Sequence, residues 1–224
     1  MITVSKDAIM YKDSEGNMQS AGVLCNVGTF GVDWLEYITG LRGLFESSVF
    51  PTDTDLVLNL KNPITNDLYG TFNGVKNLKR VSINGVFKTE NTITLTYLAY
   101  NSSLEEIDLS GLSHLKVGNA QDAFRNCTLL KVIRGIFDFT NATVVSSFLA
   151  NCKLLEEIRI KEMSLSKSFS AGNSPLLSDE SIQSIIDGLE TVETSQTLTL
   201  HADVKAKLTE NQIAQITSKN WTLA

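Results

Sequence analysis

The chain has 224 residues, of which 42% are hydrophobic, 20% charged and 8% aromatic, the balance of an ordinary globular protein, and this excludes disordered and collagen-like chains. Lys and Arg number 19 against 25 Asp and Glu, a net charge of −6, so no general electrostatic footprint for nucleic acid is expected. The 3 cysteines, Cys25, Cys127 and Cys152, are an odd number and cannot complete a disulfide framework.

The chain starts MITVSKDAIMYKDSEGN, with charges at Lys6 and Asp7 and no apolar core of about 7–15 residues, so no secretory signal is expected. No stretch approaches the ~20 apolar residues that cross a bilayer, and no membrane insertion is expected. Residues 1–48 are expected to form an N-terminal cap, a hairpin followed by a helix. SKDAIMYKDSEGNMQSAGVL reads as strand, Glu-Gly-Asn turn, strand. Asp33 and Glu36 then resemble a capping box, ahead of Trp34, Leu35, Ile38, Leu41, Leu44 and Phe45 at helical spacing, a pattern weakened by Gly40 and Gly43.

Residues 49–174 carry an internal repeat. NLKRVSI, SLEEIDL, LLKVIRG and LLEEIRI align on Leu78, Leu104, Leu130 and Leu155, which are 26, 26 and 25 residues apart. Three positions after each leucine stands Val81, Ile107, Ile133 or Ile158, and two further on Ile83, Leu109 or Ile160, with Gly135 the one departure. This L-x-x-I-x-L pattern is that of a short half-buried strand, and the period falls in the ~20–29-residue range of leucine-rich repeats. DLVLNL, with Leu56, Leu58 and Leu60, reads as a degenerate earlier copy. Ahead of each strand an aromatic, an Asn and a small residue recur. Phe72, Tyr100, Phe124 and Phe148 are expected to fill the back of each coil, and Asn101, Asn126 and Asn151 to serve the tight turns. One such coil cannot bury its own apolar edge; stacked coils make one core. The fold class expected is an α/β repeat solenoid, a stack of short parallel strands with capping helices.

Residues 175–224 are expected to close the stack as a helix–strand–helix cap continuous with it. Pro175 and Ser178 start a helix bearing Ile182, Ile185, Ile186 and Leu189; TLTL at 197–200 is a strand; Thr209 and Gln212 form a capping box for a helix with Ile213 and Ile216.

AFRNCTLLKVI and FLANCKLLEEIRI resemble the AF-x-x-C-(T/S)-x-L-x-x-I unit of BspA-like leucine-rich repeat proteins, over roughly residues 55–165. The resemblance implies a right-handed coil stack and a role in adhesion at a bacterial surface. Residues 175–224 look like the C-terminal cap of leucine-rich repeat proteins in phage and prophage structural gene clusters. That likeness implies a tail-associated, virion-borne protein recognising a protein or glycan. The alternative is a cellular surface or scaffold protein of the BspA type.

The residues offer little for catalysis, and no catalytic residue, metal site or cofactor is expected. With only His114 and His201 there is no zinc set, and Cys127 and Cys152, one repeat apart, read as a ladder of small buried thiols. Cys25 with a distant histidine could be called a nucleophile pair, but no third orienting group is indicated. Gly28 and Gly31 read as turn glycines, since no G-K-[ST] follows. Asp53 and Asp55 in PTDTD lack the further oxygen ligands calcium needs. Asn101, Asn126 and Asn141 head glycosylation sequons, a pattern common by chance. His114 is expected on a connecting loop and His201 at the start of a cap element.

The strand face remains. Between the buried positions two columns stand about 4.8 Å apart in successive strands: Arg80, Glu106, Val132, Glu157; and Ser82, Asp108, Arg134, Arg159. Their mixed signs allow cross-strand ion pairs or a surface facing a partner, and these eight residues are the expected binding surface.

Overall fold

The computed structural model of the chain describes residues 4–5, 8–12, 18–20 and 38–224. Near the N-terminus β1 (Val4–Ser5), β2 (Ala8–Lys12) and β3 (Met18–Ser20) form an antiparallel sheet in that order, with Met10 opposite Ser20. The two strands expected here are present; the turn residues Glu15, Gly16 and Asn17 lie outside the described residues. The helix expected from Asp33 is not formed over its described part. Residues 38–41 are irregular and 42–47 are turns, while Asp33, Trp34, Leu35 and Glu36 lie outside the described residues. The physical reason is that Gly43 and Ser47 adopt left-handed backbone, φ 61° and 58°, which a right-handed helix cannot contain.

Five strands, β4 (Val49–Asn59), β5 (Lys76–Gly85), β7 (Glu106–Leu112), β9 (Val132–Phe137) and β10 (Glu157–Ile160), make a parallel sheet in chain order. The parallel pairing and the small number of helices among the described residues make this an α/β-type fold, with no closed barrel among them. Apolar residues at every second position point into the core because a strand's side chains alternate between faces. Leu78, Leu104, Leu130 and Leu155 are fully buried, and Val81, Ile107, Ile133 and Ile158 lie beneath them. Leu56 faces Val81, Leu58 faces Ile83, and Val81 faces Ile107 in register. Ile83, Leu109 and Ile160 are buried too, whereas the position held by Gly135 is filled from two residues further on: Phe137 stands opposite Ile160.

Each strand is preceded by a turn segment, at 41–48, 68–75, 95–102, 120–127 and 145–152. Within each, three successive four-residue turns close, as in Leu68 O to Thr71 N–H, Gly70 O to Asn73 N–H and Phe72 O to Val75 N–H. The amides between them donate to the next repeat, as Gly70 does to Thr96, Phe72 to Leu98 and Gly74 to Tyr100. In the first four segments these amides thus find partners alternately within a layer and in the next, while in the fifth Asn151 N–H donates to Asn173 Oδ1 at 3.2 Å. The alternation requires two left-handed residues per segment: Gly43 and Ser47, Gly70 and Gly74, Tyr97 and Asn101, Asp122 and Asn126, Ser147 and Asn151. Asn is well tolerated in this conformation, so Asn101, Asn126 and Asn151 serve the turn by their backbone, and Asn151 Nδ2 also donates to Asn126 Oδ1 at 3.1 Å.

Phe72, Phe124 and Phe148 are buried inside these turns, at a gain of roughly 1.5–3 kcal/mol each. Tyr100, expected with them, is instead half-exposed on the outer side. The bonding frame places Ala99 in the layer position of Phe72 and Phe124. A second, broken parallel ladder includes β6 (Ile93–Thr94) and β8 (Val117–Asn119) and is extended by pairs such as Ile64 with Phe87.

At the C-terminal end β11 (Phe169–Ala171), β12 (Gln196–Leu200) and β13 (Trp221–Leu223) form a parallel sheet, with α1 (Asp179–Gly188), α2 (Ala202–Lys205) and α3 (Glu210–Ser218) around it. Ser178 caps α1 by accepting from Ser181 N–H, and Thr209 and Gln212 form the expected reciprocal capping box of α3. The side of β10 away from β9 meets α1. Ser181 Oγ accepts from Ile158 N–H at 3.1 Å and donates to Glu156 O at 3.0 Å, and Ser184 Oγ accepts from Ile160 N–H at 2.9 Å. Two serine hydroxyls thus stand in for the missing next strand.

Candidate binding surface

The strand face is built by the residues between the buried positions. Arg80 stands opposite Glu106, Glu106 opposite Val132, and Val132 opposite Glu157, which is the first expected column. In the second, Ser82 faces Asp108 and Asp108 faces Arg134, but Arg159 does not join it: Arg159 stands opposite Ile136. The register between β9 and β10 slips between Glu157 and Arg159 because Gly135, at φ 117°, makes an extra bend. A Cβ on Gly135 would come within 2.5 Å of Leu115 Cδ1, so only glycine fits this bend. Arg159 turns to the cap and donates to Glu180 O at 2.9 Å.

The charges on this face interlock. Arg80 lies between Asp55 at 3.1 Å and Glu106 at 3.8 Å, and Arg134 between Glu106 at 2.9 Å and Glu157 at 3.7 Å. A parallel run joins Asp53, Lys79, Glu105 and Lys131 at 3.5, 3.7 and 3.2 Å. Val132 interrupts the first column, and Arg134 reaches across from the second to bridge the gap. The hydrogen bond from Lys131 holds the Glu105 carboxyl below its ordinary range, and the bond to Glu106 raises the Arg134 guanidinium. These side chains are partly exposed to solvent, so each pair contributes only about 0.2–1 kcal/mol.

The other described candidates make contacts within the fold. Asp53 and Asp55 are engaged by Lys79 and Arg80, and no group of three or more potential metal ligands exists among the described residues. Cys127 Sγ donates to Ala99 O at 2.8 Å and Cys152 Sγ to Phe124 O at 3.0 Å, each reaching back one layer from a fully buried position. Burial pushes the Cys127 thiol up to about 11 and that of Cys152 upward as well. His114 lies on the β7–β8 loop, with Nε2 3.2 Å from Thr89 O; His201 caps α2 by accepting from Asp203 N–H. At Asp138, burial opposes ionisation, but Lys161 at 2.6 Å and Thr140 outweigh it and hold the carboxyl low. Asn101 and Asn141 are exposed and Asn126 is half-buried. Cys25, Gly28 and Gly31 lie outside the described residues.

A cavity of about 270 Å³ lies between α1 and the α2–α3 connection, lined by Asp179, Ile182, Lys207, Leu208, Thr209 and Gln212. In its wall Thr209 Oγ1 donates to Gln212 Oε1 at 3.1 Å. No helix among the described residues is long and apolar enough to cross a membrane. Not anticipated from the repeat pattern is a cluster on the turn wall: Tyr97 meets Tyr69 edge-on at 5.7 Å and Tyr100 at 5.4 Å, and the Arg42 guanidinium lies 4.3 Å from the Tyr69 ring centre. No family model, curated protein or solved structure matches this chain.

Proposed function

We propose that this chain is a leucine-rich repeat solenoid of the BspA-like kind, a non-catalytic binding module that recognises a protein or glycan on a bacterial surface. The observation that carries the reading is the five-stranded parallel sheet, whose outer side aligns Arg80, Glu106, Asp108, Arg134 and Glu157 across successive repeats. An extended, regularly spaced face suits contact with a large partner, whereas bond-making chemistry needs convergent titratable groups in a cleft. The likeness of residues 175–224 to caps of phage-encoded repeat proteins supports a place on a virion, as a tail-associated component. Binding of fluorescently labelled protein to a panel of bacterial cells tests this, with the Arg80→Glu/Arg134→Glu double variant as control. Saturable binding lost in the double variant is expected. Absence of binding to every strain would overturn the adhesive reading.

A further inference from the structure

We propose that the turn wall carries a second binding site, a tyrosine platform that takes a neutral carbohydrate. Tyr69, Tyr97 and Tyr100 come from two adjacent repeats and are each half-exposed. None of their hydroxyls has a hydrogen-bond partner among the described residues.

The backbone under the cluster is the second observation. Tyr97 occupies the left-handed position, φ 55°, which in the two preceding repeats is held by Gly43 and Gly70 and in the two following by Asp122 and Ser147. A bulky aromatic is the least suited of these residues to that conformation, and strain of this sort gathers at functional sites. The fold does not need a ring here, since the same backbone closes over glycine in two other layers.

The surrounding charges indicate what would lie there. Arg42 is paired with Asp67 at 2.7 Å and Arg125 with Asp122 at 3.1 Å, while Glu46 accepts from Asn73 Nδ2 at 2.8 Å. With both cations of these turns paired inside the chain, the wall offers no free cation to a phosphate or an acidic peptide. None of the exposed large aliphatic side chains lies in these turns; Val49, Val57, Val86 and Ile136, for example, all lie outside them. What remains is three half-exposed tyrosine rings whose own hydroxyls have no partner among the described residues. That combination matches a sugar ring, whose C–H face stacks on an aromatic while its hydroxyls exchange hydrogen bonds at the rim.

Affinity electrophoresis of the full chain in gels containing dextran, galactomannan, mixed-linkage β-glucan or hydroxyethylcellulose tests the proposal. Retardation by at least one polymer is expected, weakened at least tenfold by Tyr97→Gly and unchanged by Arg80→Glu/Arg134→Glu. The same Tyr97→Gly variant should melt at or above the wild-type temperature, because glycine relieves the left-handed strain. A fall in melting temperature would mark Tyr97 as a packing residue and overturn the site, as would retardation by none of the polymers. Binding to cells that requires Tyr97, is abolished by protease treatment of the cells and has no counterpart in any gel would replace the carbohydrate with a protein occupant. The strand-face variant separates this outcome from failure of the adhesive reading, since it alters only the other face.

Discussion

The two buried cysteines show how a residue's chemistry is set by its layer. Cys127 and Cys152 close their turns at equivalent positions, and each thiol finds a carbonyl one repeat back. A thiol raised to about 11 from an ordinary value near 9 has its thiolate fraction cut about 10²-fold at neutral pH, before any steric protection is added. In a Cys25→Ser background, alkylation of the folded chain by iodoacetamide should therefore be at least about 100-fold slower than in denaturant. Alkylation at comparable rates would show that the ladder opens freely. The pairing of Asn-Cys in two repeats made this ladder legible in the sequence. The left-handed positions were not legible, because Gly43, Gly70, Tyr97, Asp122 and Ser147 share no chemistry, only a backbone angle. That is why Tyr100 read as a core residue: an aromatic one position along looks like the same motif until the turn frame is known.

At the scale of the element, strands announced themselves and their irregularities did not. Apolar alternation marks Val81, Ile107, Ile133 and Ile158 at a glance, since burial on one face repeats every second residue. The slip at Gly135 depends on how two neighbouring strands compete for one core position, which Phe137 wins; a gapless alignment therefore put Arg159 beside Arg134. The apolar spacing of Leu41, Leu44 and Phe45 imitated a helix because successive turns also return a side chain to the core every three or four residues. The capping of β10 by α1 was likewise hidden, although its serines are plain in the sequence. Replacing Ser181 with Ala leaves Ile158 N–H and Glu156 O without their partner. A loss of about 1–3 kcal/mol is expected on chemical denaturation. A change below about 0.5 kcal/mol would mean that water serves the edge as well as the hydroxyl does.

At the scale of the whole molecule, the core of the described residues is one contiguous cluster from Leu41 to Trp221, so damage in the middle should be felt at both ends. Ile107→Asp places an unpaired carboxylate in a fully buried position between β5 and β9, at a cost of several kcal/mol. The neighbouring Glu106→Ala removes a half-exposed partner of Arg80 and Arg134, each of which keeps another carboxylate, and should cost less than about 1 kcal/mol. Thermal melts of the two variants check this. Equal stability would refute the register of β7, and loss confined to one half of the chain would refute the single core.

The alternation of bonds in the turn wall carries a mechanical consequence. Bonds within a layer hold each repeat's shape, while bonds between layers, on the wall and on the sheet alike, hold successive repeats together. A tension applied between the two ends of the stack loads the interlayer bonds in series, so every junction bears the same force and the one least able to resist parts first. The ladder is interrupted between Val49 and Asp55 in β4–β5, between Ser82 and Asn84 in β5–β7 and between Glu157 and Arg159 in β9–β10, and these junctions are the natural places to yield. A chain strained in this way would lengthen stepwise and absorb work at each step, as a tether does, before the remaining layers give way.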